Sequence, residues 1–548
     1  MAAQTVLPLL LSPQALLLYL LLIPVLLLLR ATNRRSAGER AAADNHGGRP
    51  LPSPPNKLPL IGHLHLVGPD PHVSLAALAA KHGDGGLMLL RLGQTRALVV
   101  SSPRAAEAVL RTHDHVFASR PPNAFADALL DGGADVAFAP YGEFWRQARR
   151  LVTTHLLSAR KVHSLRRGRE EEARLVMAKI QGAAAAGALV DMTKLLGAFT
   201  NDIACRAVSG KFFREEGRNE LFREAIDGNV AAFGGFNLLD YFPGLAKVGV
   251  LARLLFAKTS RLKRKWDELL DKIIDDHVSK ASPQEQHHQH DQQEDEEADF
   301  VDVLLSLQEE YSLTRQHIKA ILMDMFVAGT DTSYIVLECA MAELMRKPNL
   351  MAKLQAEVRE KTPKGQQIVT EDDLGNMAYL KAVVKETLRL HPPAPLLLPH
   401  LSMAECDIDG YKVPVEARVI VNAWALGRDP GSWEAADEFM PERFVDVVSP
   451  DFKGRDFQFL PFGAGRRICP GINFGMASVE IMLANLVYCY DWELPGGMRQ
   501  EELDMTGVFG MTMRRKERSR HRIQMMRNPN LSVQGDDKNL HWHYVGSI

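Results

Sequence analysis

Cys469 has the neighbours that sulfur chemistry requires. It closes the run Phe462-Gly463-Ala464-Gly465-Arg466-Arg467-Ile468-Cys469-Pro470-Gly471 and precedes an apolar, helix-compatible stretch from Ile472 to Leu486. Gly463, Gly465 and Gly471 admit backbone shapes and close approaches that a Cβ would obstruct. Pro470 suits the first turn of a helix. A sulfur at a helix N-terminus meets partly positive amides, and Arg466 and Arg467 add charge, so thiolate is expected over thiol. A buried anionic sulfur calls for a strong partner. A haem iron is one, and a thiolate axial ligand pushes electron density onto it, favouring O–O cleavage. A structural cysteine in an ordinary loop is the better reading of any Cys taken alone.

A second set of residues could handle protons beside such a centre. Thr314 to Arg346 reads as one long helix, with Thr314 as cap and Pro348 just past its end. In its middle lies Ala328-Gly329-Thr330-Asp331-Thr332-Ser333. That is a costly helical sequence, since Gly alone costs about 1 kcal/mol relative to Ala. Small Ala328 and Gly329 would let the backbone lie close over a flat cofactor. The Thr332 hydroxyl can compete for a backbone carbonyl and bend the helix, and with Asp331 it can relay protons. In isolation, a kink with satisfied polar groups explains the segment equally well.

Two further helical runs position these groups. Leu380 to Leu390 ends at His391-Pro392-Pro393, and within it Glu386 and Arg389 share a face. Alone, such a pair is a common surface feature. Pro441-Glu442-Arg443-Phe444 follows, before the cysteine loop. Tyr141 to Arg150 begins another helix in which Trp145 and Arg149 are four apart. A core Trp and a surface Arg would account for them individually.

Taken in chain order, the four segments resemble the cytochrome P450 superfamily, over residues 59–525 and so over nearly the whole chain beyond its N-terminus. The Phe-x-x-Gly-x-Arg-x-Cys-x-Gly pattern is its most specific element. The resemblance implies a mainly α fold with a minor β component, and non-covalent haem b with Cys469 as the iron's axial ligand. It implies that Asp331 and Thr332 deliver protons to bound dioxygen, and that Glu386, Arg389 and Arg443 form a buried lock supporting the cysteine loop. Phe462 belongs to the haem-binding motif, and Trp145, Arg149 and Arg467 are implied partners of the haem propionates. After Pro399 many plant relatives carry Arg where this chain has His400, which would be a weaker, pH-dependent partner. The expected pocket wall comprises Phe326, Ala328, the Ala394–Leu398 segment, and Val508 and Phe509 in the 508–511 turn.

Composition fits this frame. The chain has 548 residues and a net charge of -2, without the basic excess of a nucleic-acid binder. Its five cysteines form no CxxC pair, which argues against zinc modules, disulfide frameworks and covalent haem attachment. From Val6 to Leu29 no residue is charged, and as a helix these 24 residues would span roughly 36 Å, enough for a hydrocarbon core of about 30 Å. Arg30, Arg34 and Arg35 follow, and no basic residues precede, so a retained signal anchor in residues 1–29 is preferred to a cleaved signal peptide. The downstream chain is then cytosolic, on the endoplasmic reticulum membrane. Residues 30–58 form a basic, proline-rich linker, stiff enough to space the domain from the bilayer. Gln284 to Glu297 reads as a polar loop whose histidines (His287, His288, His290) could bind metal only adventitiously, and residues 526–548 as a polar tail.

The implied reaction is monooxygenation of a small lipophilic substrate, with electrons from NADPH through a separate NADPH–cytochrome P450 reductase. The chain carries no convincing dinucleotide fingerprint of its own. A haem-thiolate isomerase or dehydratase would not need Thr332, and a haem sensor would not need the acid–alcohol pair. Leu58 to Leu66, Phe117 to Pro122, Phe236 to Pro243 and Pro399 to Met403 further resemble the grass enzymes that hydroxylate indole-derived intermediates of benzoxazinoid biosynthesis. A small aromatic or indole-type substrate is therefore expected, with xenobiotic or terpenoid oxidation as the alternative.

Overall fold

A computed structural model describes residues 49–130, 132–233, 238–244, 249–280, 298–446, 449–516 and 520–521. The expected anchor, the first part of the linker, the 284–297 tract and the C-terminal tail lie outside them.

Apolar period and caps explain the elements that matter here. In chain order these are β1 (Leu87–Leu92), β2 (Thr95–Val100), α1 (Glu143–Leu151), α2 (Met192–Ser209), α3 (Arg218–Phe233), α4 (Gly249–Lys280), α5 (Arg315–Arg346), α6 (Ala378–Leu390), β3 (His400–Leu401), β4 (Arg418–Val421), α7 (Ile472–Cys489), β5 (Gly507–Val508) and β6 (Arg514–Arg515). Helices dominate. The principal sheet runs β1-β2-β4-β3, with β2 and β4 parallel and the other pairings antiparallel. β5 and β6 form a separate hairpin.

The long helix α5 is the spine. Thr314 caps it through a reciprocal box with His317, as its sequence suggested, and it is buried on nearly every side. A helix apolar all round belongs in a core. Packing against its neighbours does not require glycine at Gly329: a Cβ at that position would be in ordinary contact with Phe474 of α7 and Ala204 of α2. Both α5 and α7 are long and apolar enough to cross a membrane, but most of each is buried inside the protein.

Two details depart from expectation. The proline-rich connector is docked where described: Leu51 is buried, and Leu89 N–H donates to Pro52 O at 2.8 Å. Pro470 lies ahead of the helix cap, which is Gly471, and so outside the first turn, while α7 begins at Ile472, where the apolar run begins.

Candidate active site

The cysteine loop is shaped by backbone hydrogen bonds and one obligatory glycine. Cys469 N–H donates to Phe462 O at 2.9 Å, folding the loop back on itself. Gly465 has φ +68°, and a Cβ there would lie 2.1 Å from Leu110 O, so no other residue fits. Burial raises the Cys469 thiol above its ordinary range, while the Gly471 N–H and the Arg149 charge pull it back only in part. Desolvation thus opposes the helix terminus at this sulfur, and a bound iron would be what displaces the proton. The neighbouring arginines are also not its partners. Arg466 is exposed and paired with Asp114, and Arg467 points to the carbonyls of Ala118, Val136 and Ala139. The cation beside the sulfur is Arg149, which donates to Ile468 O.

Arg120, Arg149 and Arg467 gather in one buried region. Burial lowers all three; Arg120 is pulled to about 10 and Arg467 to about 9, with mutual repulsion contributing. Among the described residues none is ion-paired to a carboxylate; their donors go to backbone carbonyls. Buried Asp135 offsets Arg120 and Arg467 in part. Trp145, buried as a core Trp would be, donates Nε1–H to Val136 O at 3.0 Å and receives Arg467 over its ring at 4.0 Å. An excess of buried cation calls for an anion. A haem, with two carboxylates and an iron for Cys469, fits this donor set.

His400 does not join it as expected. Burial and the Arg120 charge push its pKa to about 3, so the ring is neutral at ordinary pH. Its Nδ1 lies 2.7 Å from Phe117 O and must carry the single proton, which leaves no N–H for a propionate. Arg120, overlooked in the sequence, reaches Leu398 O and Pro399 O beside it and is the cation at that corner.

On α5 the open side is narrow. Ala328 is exposed midway along a buried helix, flanked by partly open Met325 and Thr332. Thr332 Oγ1 donates to Ala328 O at 2.8 Å, the expected competition for a helix carbonyl. Asp331 is turned elsewhere: it is buried, ion-paired to Arg514 and hydrogen-bonded by Thr512. Phe326 is a correction to the expected pocket wall. Two residues from Ala328 it lies about 200° round the helix, and it stacks on Phe222 at 4.1 Å within the core. Ala394 and Leu398 are half-buried, and Val508 is exposed. Phe509 stacks on His72 at 5.8 Å, which stands edge-on to Trp424.

Asp324, one turn before Ala328, went unremarked in the sequence. Its Oδ2 accepts the N–H groups of Val136 and Ala137 at 2.8 and 3.2 Å, tying the 135–139 loop to α5. Burial and nearby Asp135 hold its carboxyl well above the usual range.

The lock has the expected geometry. Arg389 grips Glu386 with two bonds of 2.7 and 2.6 Å, both side chains fully buried, and Arg443 Nε stands 3.4 Å from the same carboxylate. Arg389 also donates to Gly427, Ala436 and Glu438 carbonyls. An aromatic chain runs from there to the cysteine loop: Trp433, Phe444, Phe459, Phe452 and Phe462 follow one another at centroid distances of 5.1–6.3 Å.

This fold and site define a haem-thiolate monooxygenase. The chain belongs to the cytochrome P450 family, whose model matches residues 52–519, seven residues earlier at its start than the sequence suggested. Among curated relatives it is 58% identical to maize (Zea mays) indole-2-monooxygenase, over 85% of this chain and 86% of that protein. It is 53% identical to maize indolin-2-one monooxygenase, over 89% and 91%. Among solved structures it resembles a zebra fish cytochrome P450 with abiraterone, at a TM-score of 0.69, 26% identity, and coverage of 83% of this chain and 99% of that one.

Proposed function

We propose that this enzyme hydroxylates a small, planar, indole-type specialised metabolite. One oxygen atom enters the substrate as a hydroxyl and the other leaves as water. Two protons are consumed, with two electrons drawn from NADPH through a separate NADPH–cytochrome P450 reductase. The observation that carries the substrate class is the 58% and 53% identity to two maize enzymes named for indole and indolin-2-one, over most of each chain. Apolar Met325, Ala394 and Leu398 are half-buried and Ala328 is exposed, and open apolar side chains of this kind suit compact aromatic rings.

The haem, when bound, supplies the oxygen-activating iron. Cys469 would hold that iron through sulfur, and Arg149, Arg467, Trp145 and Arg120 would meet the carboxylates, each exchanging a backbone carbonyl for an anion. Thr332, whose own hydrogen goes to Ala328 O, would accept a hydrogen bond at the open side of α5 and so position a proton donor there, with Asp331 as the route by which protons arrive. Glu386, Arg389 and Arg443 would act by support alone. Residues 1–29 would anchor the protein in the endoplasmic reticulum membrane, with the catalytic domain in the cytosol. Exposed Arg146 and Arg150 would face the reductase; Arg466, already paired with Asp114, would contribute less.

The test is reconstitution with a plant reductase and NADPH, offering indole, indolin-2-one, related benzoxazinones, a herbicide panel and terpenes. Hydroxylation of an indole-type compound at the highest kcat/KM is expected. A protein that ignores all of these and oxidises a terpene or herbicide would refute the substrate class.

A further inference from the structure

Both oxygens of Asp331 are already engaged, and by one hairpin. Thr512 Oγ1 donates to Oδ2, and Arg514 of β6 pairs with Oδ1. Asp331 and Thr512 are nearly fully buried, so these contacts are shielded from competing water. Arg514 extends further. Its other guanidinium nitrogen stands 3.5 Å from Asp227 of α3, which also pairs with Arg223 at 3.4 Å. Arg514 and Arg223 both lie over the Tyr334 ring, at 5.5 and 5.6 Å. The same hairpin carries the Val508–Met511 turn, and Met513 N–H donates to Pro393 O at 2.8 Å, just ahead of Ala394. Three elements therefore meet at Arg514: the turn of α5 that carries Asp331, helix α3, and the turn expected to face substrate.

We propose that Arg514, with Thr512, is a positioning residue that parks Asp331 away from Thr332 until substrate displaces the 508–511 turn. While Asp331 is held, neither oxygen is free to pass a proton towards Thr332, whose own hydrogen is directed to Ala328 O. A substrate pressing on the turn moves Thr512 and Arg514 together, because only three residues separate Val508 from Thr512. Asp227 offers Arg514 an alternative anion, so the cation stays paired when it leaves Asp331. Proton delivery then depends on occupancy, which limits wasteful NADPH oxidation when no substrate is bound.

The proposal rests on Asp331 and Thr332 as the proton-handling pair, and the test separates the two ideas. Full-length protein is reconstituted with haem, reductase and NADPH. NADPH oxidation and peroxide release, with and without indole or indolin-2-one, are measured per bound haem. Arg514→Gln should raise substrate-free oxidation several-fold and shrink the stimulation by substrate. Arg514→Lys keeps the cation and should restore most of that stimulation. Thr512→Val should move it in the same direction as Arg514→Gln, by less. In an Asp331→Asn background Arg514→Gln should add nothing, because Arg514 acts through Asp331. A purely structural Arg514 would lower haem content without changing the ratio per haem. Wild-type stimulation in both Arg514→Gln and Thr512→Val overturns the clamp, as does an Arg514→Gln effect that survives beside Asp331→Asn. Unchanged product per NADPH in Asp331→Asn alone would instead overturn the proton-handling pair, and the clamp with it.

Discussion

The Thr332 hydroxyl spends its hydrogen on Ala328 O, 2.8 Å away, so its lone pairs are what it turns to the open side of α5. Thr332→Ala should keep bound haem yet cut product per NADPH consumed by about ten-fold or more, short of the ~10²–10⁴-fold of a direct proton donor because the hydroxyl positions the donor and does not itself donate, with the remainder recovered as peroxide. An unchanged product-to-NADPH ratio would assign the helix irregularity another purpose. His400 yields a prediction of a different kind. Its folded pKa of about 3 lies below the ordinary 6.5. The unfolded chain therefore binds the extra proton first, and stability is lost as pH falls below 6.5. By pH 5 this single ring costs about 2 kcal/mol relative to pH 8. His400→Gln, which can still donate to Phe117 O, should lack that part of the acid limb in denaturant titrations at pH 8, 6.5 and 5. Equal losses in the two proteins would contradict the buried neutral ring. Cys469 and Thr332 were legible in the sequence because residue type, glycine spacing and order coincide. Arg120 and Asp324 were not, because their partners, at Pro399 and Val136, are brought to them only by the fold.

Among the elements, α6 and the 427–443 segment form one unit through Glu386 and Arg389. Removing either partner leaves an unpaired charge in a fully buried site and should cost about 3–5 kcal/mol. Glu386→Ala and Arg389→Ala are accordingly expected to lose haem or soluble protein, as read from the haem-to-protein absorbance ratio and the thermal midpoint. Full haem content and an unshifted midpoint would show that the aromatic chain from Trp433 to Phe462 holds the cysteine loop unaided. The pairing itself was readable from a three-residue spacing and a later Arg443. The aromatic chain was not, because Phe444, Phe452, Phe459 and Phe462 lie in a 3₁₀ turn and irregular backbone, where their spacing does not say which rings meet. Phe326 leaves the expected pocket wall for a different reason. Proximity to Ala328 in sequence puts it on the opposite side of the helix, where Phe222 and Trp266 receive it.

For the whole molecule, the sequence implied a mainly helical body with a minor sheet around one buried site, and the spine α5 and sheet β1-β2-β4-β3 agree with it. The uncharged Val6–Leu29 segment leads to a prediction about location: protein lacking residues 1–29 should move from the membrane pellet to the soluble fraction while still binding haem. Retention in the pellet at high salt would point to a second membrane contact elsewhere in the chain. The central claim is that this chain is a haem-thiolate protein through Cys469, and the carbon monoxide spectrum of the reduced protein tests it most directly. Wild type, and variants with Ala at Cys205, Cys339, Cys406 or Cys489, should each give the thiolate-type band, and Cys469→Ala should not. A thiolate-type band that survives in Cys469→Ala would contradict the claim.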